Sequence, residues 1–199
     1  MAHSEPANVD RAASRKTRVL LAATGSVTAM RFTLLCCQFS EFADVKAIAT
    51  RPALHFIDRS VLPHNVPLYT DEDEWSNWKK VGDSVLHNEL CRWADIMVIA
   101  PLSANTLAKI AVGLCDNLLT YIMRAWDYSK PIFVAPSMHR DLWQDRFTER
   151  HLKIIGDDLG ISLIPAMPKG KTSRDFGNGV MPEISVIFGT VRRSVGWKP

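Results

Sequence analysis

Imidazole is the side chain best suited to acid–base work near neutral pH, and His87 sits in a stretch, residues 83–93, whose spacing predicts a helix. Val85, Leu86, Leu90 and Trp93 form its inward stripe, with His87 beside it near the start. Two readings stand open: a histidine merely satisfied on a helix, or a group that moves a proton or orients a substrate. Anion binding is offered by hydroxyl residues that follow short apolar runs. Gly25-Ser26 follows residues 18–23, Thr50 follows 45–49, and Ser103-Ala104-Asn105-Thr106 follows 96–100. Hydroxyls and free amides at a helix start suit a phosphate; more plainly, Ser26 and Ser103 are good helix N-caps.

The elements that must position these groups are read from the same runs. Residues 96–100 are unbroken apolar sequence, the mark of a strand buried on both faces. Pro101 lacks an N–H and is expected to end that strand. A helix is predicted from Ala104, with Leu107, Ile110, Ala111 and Leu114 on one face. A helix over 27–42 is predicted after Gly25, whose missing Cβ lets backbone approach a ligand. The turn lacks GxGxxG spacing, which disfavours NAD. Residues 117–126, 147–159 and 183–195 read as helices, and 131–135 and 161–164 as strands. Residues 136–143, at the end of one of these strands, belong on the same edge as the hydroxyls. Residues 54–70 read as irregular, 71–74 as a solvated acidic helix start, and Trp75 and Trp78 as packing or a subunit surface. Residues 165–182 form a long loop, a lid or a disordered segment; its Lys169, Lys171 and Arg174 either meet a phosphate-bearing substrate or are solvated. The repeated strand–helix pattern predicts an α/β fold, a doubly wound parallel sheet in one domain over 18–199, behind a disordered tail at 1–17.

With 199 residues the chain can bury a full core. Its 47% hydrophobic and 23% charged residues place it among ordinary globular proteins. A net charge of +3 without long basic runs argues against nucleic acid. No apolar run has membrane-spanning length, so no membrane partner is expected. Cys36, Cys37, Cys91 and Cys115 show no metal spacing; buried thiols, no metal and a cytoplasmic setting are expected. The polar start of the chain lacks a signal-peptide core, and Glu5 and Asp10 disfavour a transit peptide.

Taken together, several motifs resemble the homo-oligomeric flavin-containing cysteine decarboxylases, above all the plant halotolerance-type phosphopantothenoylcysteine decarboxylases. They are Gly25-Ser26-Val27, Leu54-His55-Phe56, residues 69–75, Val85-Leu86-His87, residues 92–95, residues 100–106, Cys115-Asp116-Asn117, residues 124–127 and Gly177-Asn178-Gly179. The resemblance implies a Rossmann-like, flavodoxin-like fold, bound FMN and a homotrimer with sites between subunits. It implies that Gly25, Ser26, Val27, Thr50, Ser103, Ala104, Asn105, Thr106 and Ser137 hold the flavin. It also implies catalytic positions at His87, His139 and Ser173, and substrate contacts at Met138, His139, Lys171, Arg174 and Met181.

Two of those positions depart from the family pattern. Where the family has Pro-x-Met-Asn, this chain has Pro136-Ser137-Met138-His139. Where its flap has Ala-Cys-Gly-Asp, this chain has Thr172-Ser173-Arg174-Asp175. Histidine does not reproduce the donor and acceptor set of asparagine, and serine supplies no thiolate. The expectation is therefore an FMN-dependent enzyme with diverged chemistry, oxidising a small substrate by oxidative decarboxylation or dehydrogenation without the reductive return step. The alternative is phosphopantothenoylcysteine decarboxylation in coenzyme A biosynthesis, alone or as the His87-donating subunit of a mixed trimer with a paralogue. A non-enzymatic flavoprotein regulating a phosphatase ranks third, because the long acidic extensions of such relatives are missing.

Overall fold

Strand β4 (Ile96–Leu102) is buried along its whole length. It lies between β1 (Arg18–Ala23) and β5 (Ile132–Pro136) and runs parallel to both. The computed structural model describes residues 15–76, 78–165 and 180–197. Beyond β1 come β2 (Asp44–Ala49) and the two-residue β3 (Leu68–Tyr69); beyond β5 comes β6 (Ser162–Leu163). The order is β3-β2-β1-β4-β5-β6, all parallel. This is a doubly wound sheet in a single domain, as its apolar strand runs predict.

Successive residues of a strand point to opposite faces, and two separate layers cover them. Val19, Leu21 and Ala23 pack with Phe32, Leu35 and Phe39 of α1 (Phe32–Ser40) and Ile187, Phe188 and Val191 of α8 (Ile184–Ser194). Leu20, Ala22, Met97 and Ile99 pack with α3 (Leu86–Trp93), α4 (Ala104–Val112) and α5 (Leu118–Ala125). The chain also forms α2 (Asp71–Ser76), α6 (Arg140–Trp143) and α7 (Arg146–Lys153). At the rim bearing the strands' amino ends, Thr17 accepts from the Asp44 amide (2.9 Å), and its hydroxyl accepts from the Trp197 indole (2.9 Å).

Four local expectations are corrected. Pro101 does not end its strand; β4 continues to Leu102 across a register shift, and the Ala100–Pro101 bond is cis. The missing donor is tolerated because the Pro101 carbonyl still accepts from the Thr24 amide (3.1 Å) and hydroxyl (2.9 Å). The helix predicted over 27–42 is a 3-10 turn, Val27–Arg31, followed by α1. The irregular 54–70 segment contains β3, too short to leave a period in sequence. The last turns of the helix predicted over 147–159 are wider, a π turn at Ile154–Asp158.

The Thr24 hydroxyl also accepts from the Ser103 amide at 2.7 Å, so one buried side chain joins the ends of β1 and β4. Thr24→Val leaves that buried N–H unpaired. We expect a loss of about 1–3 kcal/mol of stability, read as a lower urea midpoint at unchanged slope.

Candidate active site

The order in which strands are added reverses between β1 and β4, and ligands of open α/β sheets bind outside the carboxyl ends at such a point. Gly25, Ser26 and Val27 leave β1 there, and Ser103 to Thr106 leave β4. A Cβ on Gly25 would come within 2.7 Å of the Pro52 Cβ, so only glycine lets this turn close against Pro52. Ser26 makes no capping bond. Instead its hydroxyl meets those of Thr28 (3.2 Å) and Ser137 (3.1 Å), and Thr28 bonds Ser137 at 2.8 Å. Ser137 is buried at the end of β5, its amide bonded to the Leu102 carbonyl at 2.8 Å. Three hydroxyls from two strand ends therefore converge.

Thr50 stands at the end of β2, also buried, and its hydroxyl has no hydrogen-bond partner among the described residues. Leaving a buried hydroxyl unpaired costs about 1–3 kcal/mol, so this group is open to a partner beyond the described residues. Ser103 does cap α4, accepting from the Thr106 amide at 3.3 Å. Ala104 and Asn105 precede Thr106 in that first turn, where amides have no intrahelical acceptor. Val27 is half exposed, Asn105 exposed and Thr106 buried.

His87 is the second residue of α3, whose N-cap, Val85, contributes no side-chain bond. The missing cap is supplied by Glu74 from α2, whose Oε2 accepts the His87 amide at 3.2 Å. Oε1 of the same carboxylate meets His87 Nδ1. The imidazole stacks on Tyr121 of α5, centroids 5.3 Å apart and planes at 16°. The acidic stretch 71–74 is thus not simply a solvated helix start. Glu74 is buried at 3% exposure, Asp71 accepts from the Leu118 amide (3.0 Å), and Asp73 accepts from the amide and hydroxyl of Thr70 (2.7 and 2.8 Å). Sequence reasoning missed Glu74, Tyr121, Thr24 and Thr28. Glu74 hid in a run of four acids, where no period marks the one facing inward.

His139 lies elsewhere. It is exposed beyond β5 and caps the short α6, its Nδ1 accepting from the Asp141 amide at 3.3 Å. Among the described residues no contact joins His87 to His139, and β3, which leads into α2, stands four places along the sheet from β5. Met138 packs partly buried against the α3–α5 layer, and Met181 is buried in the α1–α8 layer. Lys171, Ser173 and Arg174 lie outside the described residues. Among the described residues no cluster of three or more His, Cys, Asp or Glu could hold a metal, and no helix is long and apolar enough to cross a membrane.

Residues 8–196 match the family model described as Flavoprotein. The chain belongs to the flavoprotein family. It is 62% identical over 198 residues to phosphopantothenoylcysteine decarboxylase HAL3a of Glycine max, covering 96% of this chain and 93% of that one. It is 64% identical over 184 residues to phosphopantothenoylcysteine decarboxylase of Oryza sativa subsp. japonica, covering 92% and 83%. Among solved structures it resembles a PPC decarboxylase carrying a cysteine-to-serine mutation, complexed with pantothenoylaminoethenethiol: TM-score 0.87, 61% identity, 92% of this chain and all of that one. The FMN binding protein AtHal3 matches with TM-score 0.87 and 59% identity over 93% of this chain and all of that one.

These likenesses overturn the expectation of diverged oxidative chemistry without a return step. Flavoprotein-family relatives alike over nearly the whole chain are decarboxylases by name. The two exchanged positions carry no contrary geometry, since His139 is a surface helix cap and Ser173 lies outside the described residues. For Gly25→Ala, the clash with Pro52 predicts displacement of the β1 turn and a stability loss of about 1–3 kcal/mol. Thermal unfolding measures it; an unchanged midpoint would show that the turn has slack.

Proposed function

We propose that the chain is an FMN-dependent phosphopantothenoylcysteine decarboxylase of coenzyme A biosynthesis. The observation that carries the reading is identity above 60%, over more than nine-tenths of this chain, to relatives of that name. The site's own chemistry supports it. Gly25 brings the β1 turn flush against Pro52, Ser26, Thr28 and Ser137 converge, and Thr50 offers a buried hydroxyl unpaired among the described residues. These groups, with Val27 and the start of α4 from Ser103 to Thr106, would hold FMN, the first-turn amides facing its phosphate. When bound, FMN supplies reversible two-electron chemistry to the substrate's cysteine part.

The chain's own residues orient the substrate and move protons. His87 takes up and returns a proton. His139 Nδ1 accepts from the Asp141 amide, which leaves Nε2 as the ring nitrogen that would meet substrate. In this reading His139 and Ser173 stand where the family pattern has asparagine and cysteine, and Lys171, Ser173 and Arg174 would contact the substrate. Met138 and Met181 would shape its apolar wall.

We further propose a homotrimer with sites completed between subunits. Val27, Met30 and Leu34 recur on one exposed side of the turn and helix after β1, and Trp75 and Trp78 are exposed beside the His87 cluster. His87 and His139 of different subunits would then face one substrate.

The test is direct. Purified protein should be yellow and release carbon dioxide from 4′-phosphopantothenoylcysteine; colourless protein that refuses FMN, or FMN-loaded protein that releases none, overturns the reading. His87→Ala should keep the flavin and lower kcat about 10²–10⁴-fold. Thr50→Val should leave the apoprotein as stable or more so, while weakening FMN binding by about tenfold, the worth of one hydrogen bond. Flavin fluorescence titration measures the second effect.

A further inference from the structure

We propose that Glu74 is a positioning residue for His87: it holds the ring through Nδ1, so that Nε2 is the nitrogen that meets the substrate. This rests on the reading of His87 as the proton-moving group.

A carboxylate is costly to bury unless hydrogen bonds compensate it, and the Glu74 side chain is 1% exposed. Both its oxygens are engaged by one residue, Oε1 by the His87 ring and Oε2 by the His87 amide. The carboxylate cannot drift, because α2 is fastened on two further sides. Asp71 bonds the first amide of α5, and Asp73 bonds Thr70 at the end of β3. The ring cannot rotate freely either: Tyr121 lies flat against it, with Trp75 edge-on to Tyr121 at 6.2 Å. His87 keeps 17% of its side chain exposed, and Nε2 has no hydrogen-bond partner among the described residues.

The titratable groups facing this pair are few. Tyr121 comes from α5. Cys91, on His87's own helix, donates to the Ile122 carbonyl (3.5 Å), and burial pushes its thiol up to about 11. Burial also raises the thiol of Cys115, in the loop before α5. Arg92 turns back to the Asn88 carbonyl. Glu74 is therefore the charged group bonded to the imidazole. When Nε2 accepts a substrate proton, the ring becomes imidazolium with Nδ1–H still on the carboxylate; when Nε2 gives the proton back, neutral imidazole returns. No electrons are exchanged with Glu74.

Glutamine distinguishes this role from mere packing. It fills the same space but has one acceptor oxygen where the carboxylate has two. Facing two N–H groups, Glu74→Gln must turn its amide nitrogen toward one of them; turned to the ring, it donates to Nδ1 and drives the proton onto Nε2. The experiment is ¹⁵N imidazole NMR of FMN-loaded, histidine-labelled protein, the His87 signals assigned by their loss in His87→Ala. We expect neutral His87 with its proton on Nδ1 in the parent, and transfer to Nε2 in part or whole in Glu74→Gln. We expect kcat to fall about 10–100-fold with KM nearly unchanged and the flavin spectrum intact, and Glu74→Asp to recover part of both. A proton on Nε2 in the parent overturns the proposal, and so does an unchanged tautomer in Glu74→Gln, whatever the activity. If the tautomer shifts while the parent releases no carbon dioxide, the pairing stands and the decarboxylase reading falls.

Discussion

The structure depends on covering both faces of a parallel sheet while leaving one edge polar. Every residue of β4 is buried, and its neighbours β1 and β5 are apolar for the same reason. Parallel ladders of this kind need a helical layer on each side, and α1 with α8 and α3 with α4 and α5 supply them. At the carboxyl edge the layers part. There the chain must satisfy its backbone without a ladder, and Thr24 does so by bonding both Pro101 and Ser103.

The features of the candidate site follow from that edge. Hydroxyls appear where strands stop, because strand ends need polar partners. Some are consumed locally, as with Ser103 capping α4; Thr50 is left over. Local pairing, not residue type, therefore decides which hydroxyls are already bonded at this edge. His87 obeys a related logic, since the carboxylate that orients its ring also supplies the cap that α3 lacks.

The architecture was legible wherever burial was two-sided and long. Residues 19–23 and 96–100 announced strands because every position is apolar, and Ser103 announced a helix start through capping chemistry. Legibility failed where structure rests on few residues or distant partners. β3 has two residues and pairs through Ala47 and Ile48, which local periodicity does not reveal. Pro101 signalled a stop because its rescue comes from Thr24, 77 residues away. Glu74 looked solvated because its partner lies 13 residues on, across a turn of chain. The expectation of diverged chemistry gave two side-chain exchanges more weight than the likeness of the whole chain.

The bond between Trp197 and Thr17 fixes where both ends of the folded body lie. Thr17 immediately precedes β1, on the rim opposite the hydroxyl edge, and Trp197 is fastened beside it, edge-on to Phe39. Anything joined to the protein near either end departs from the side remote from the ligand rim. Tethering at Thr17 or Trp197, to a surface or to a second protein, would leave the candidate site facing outward.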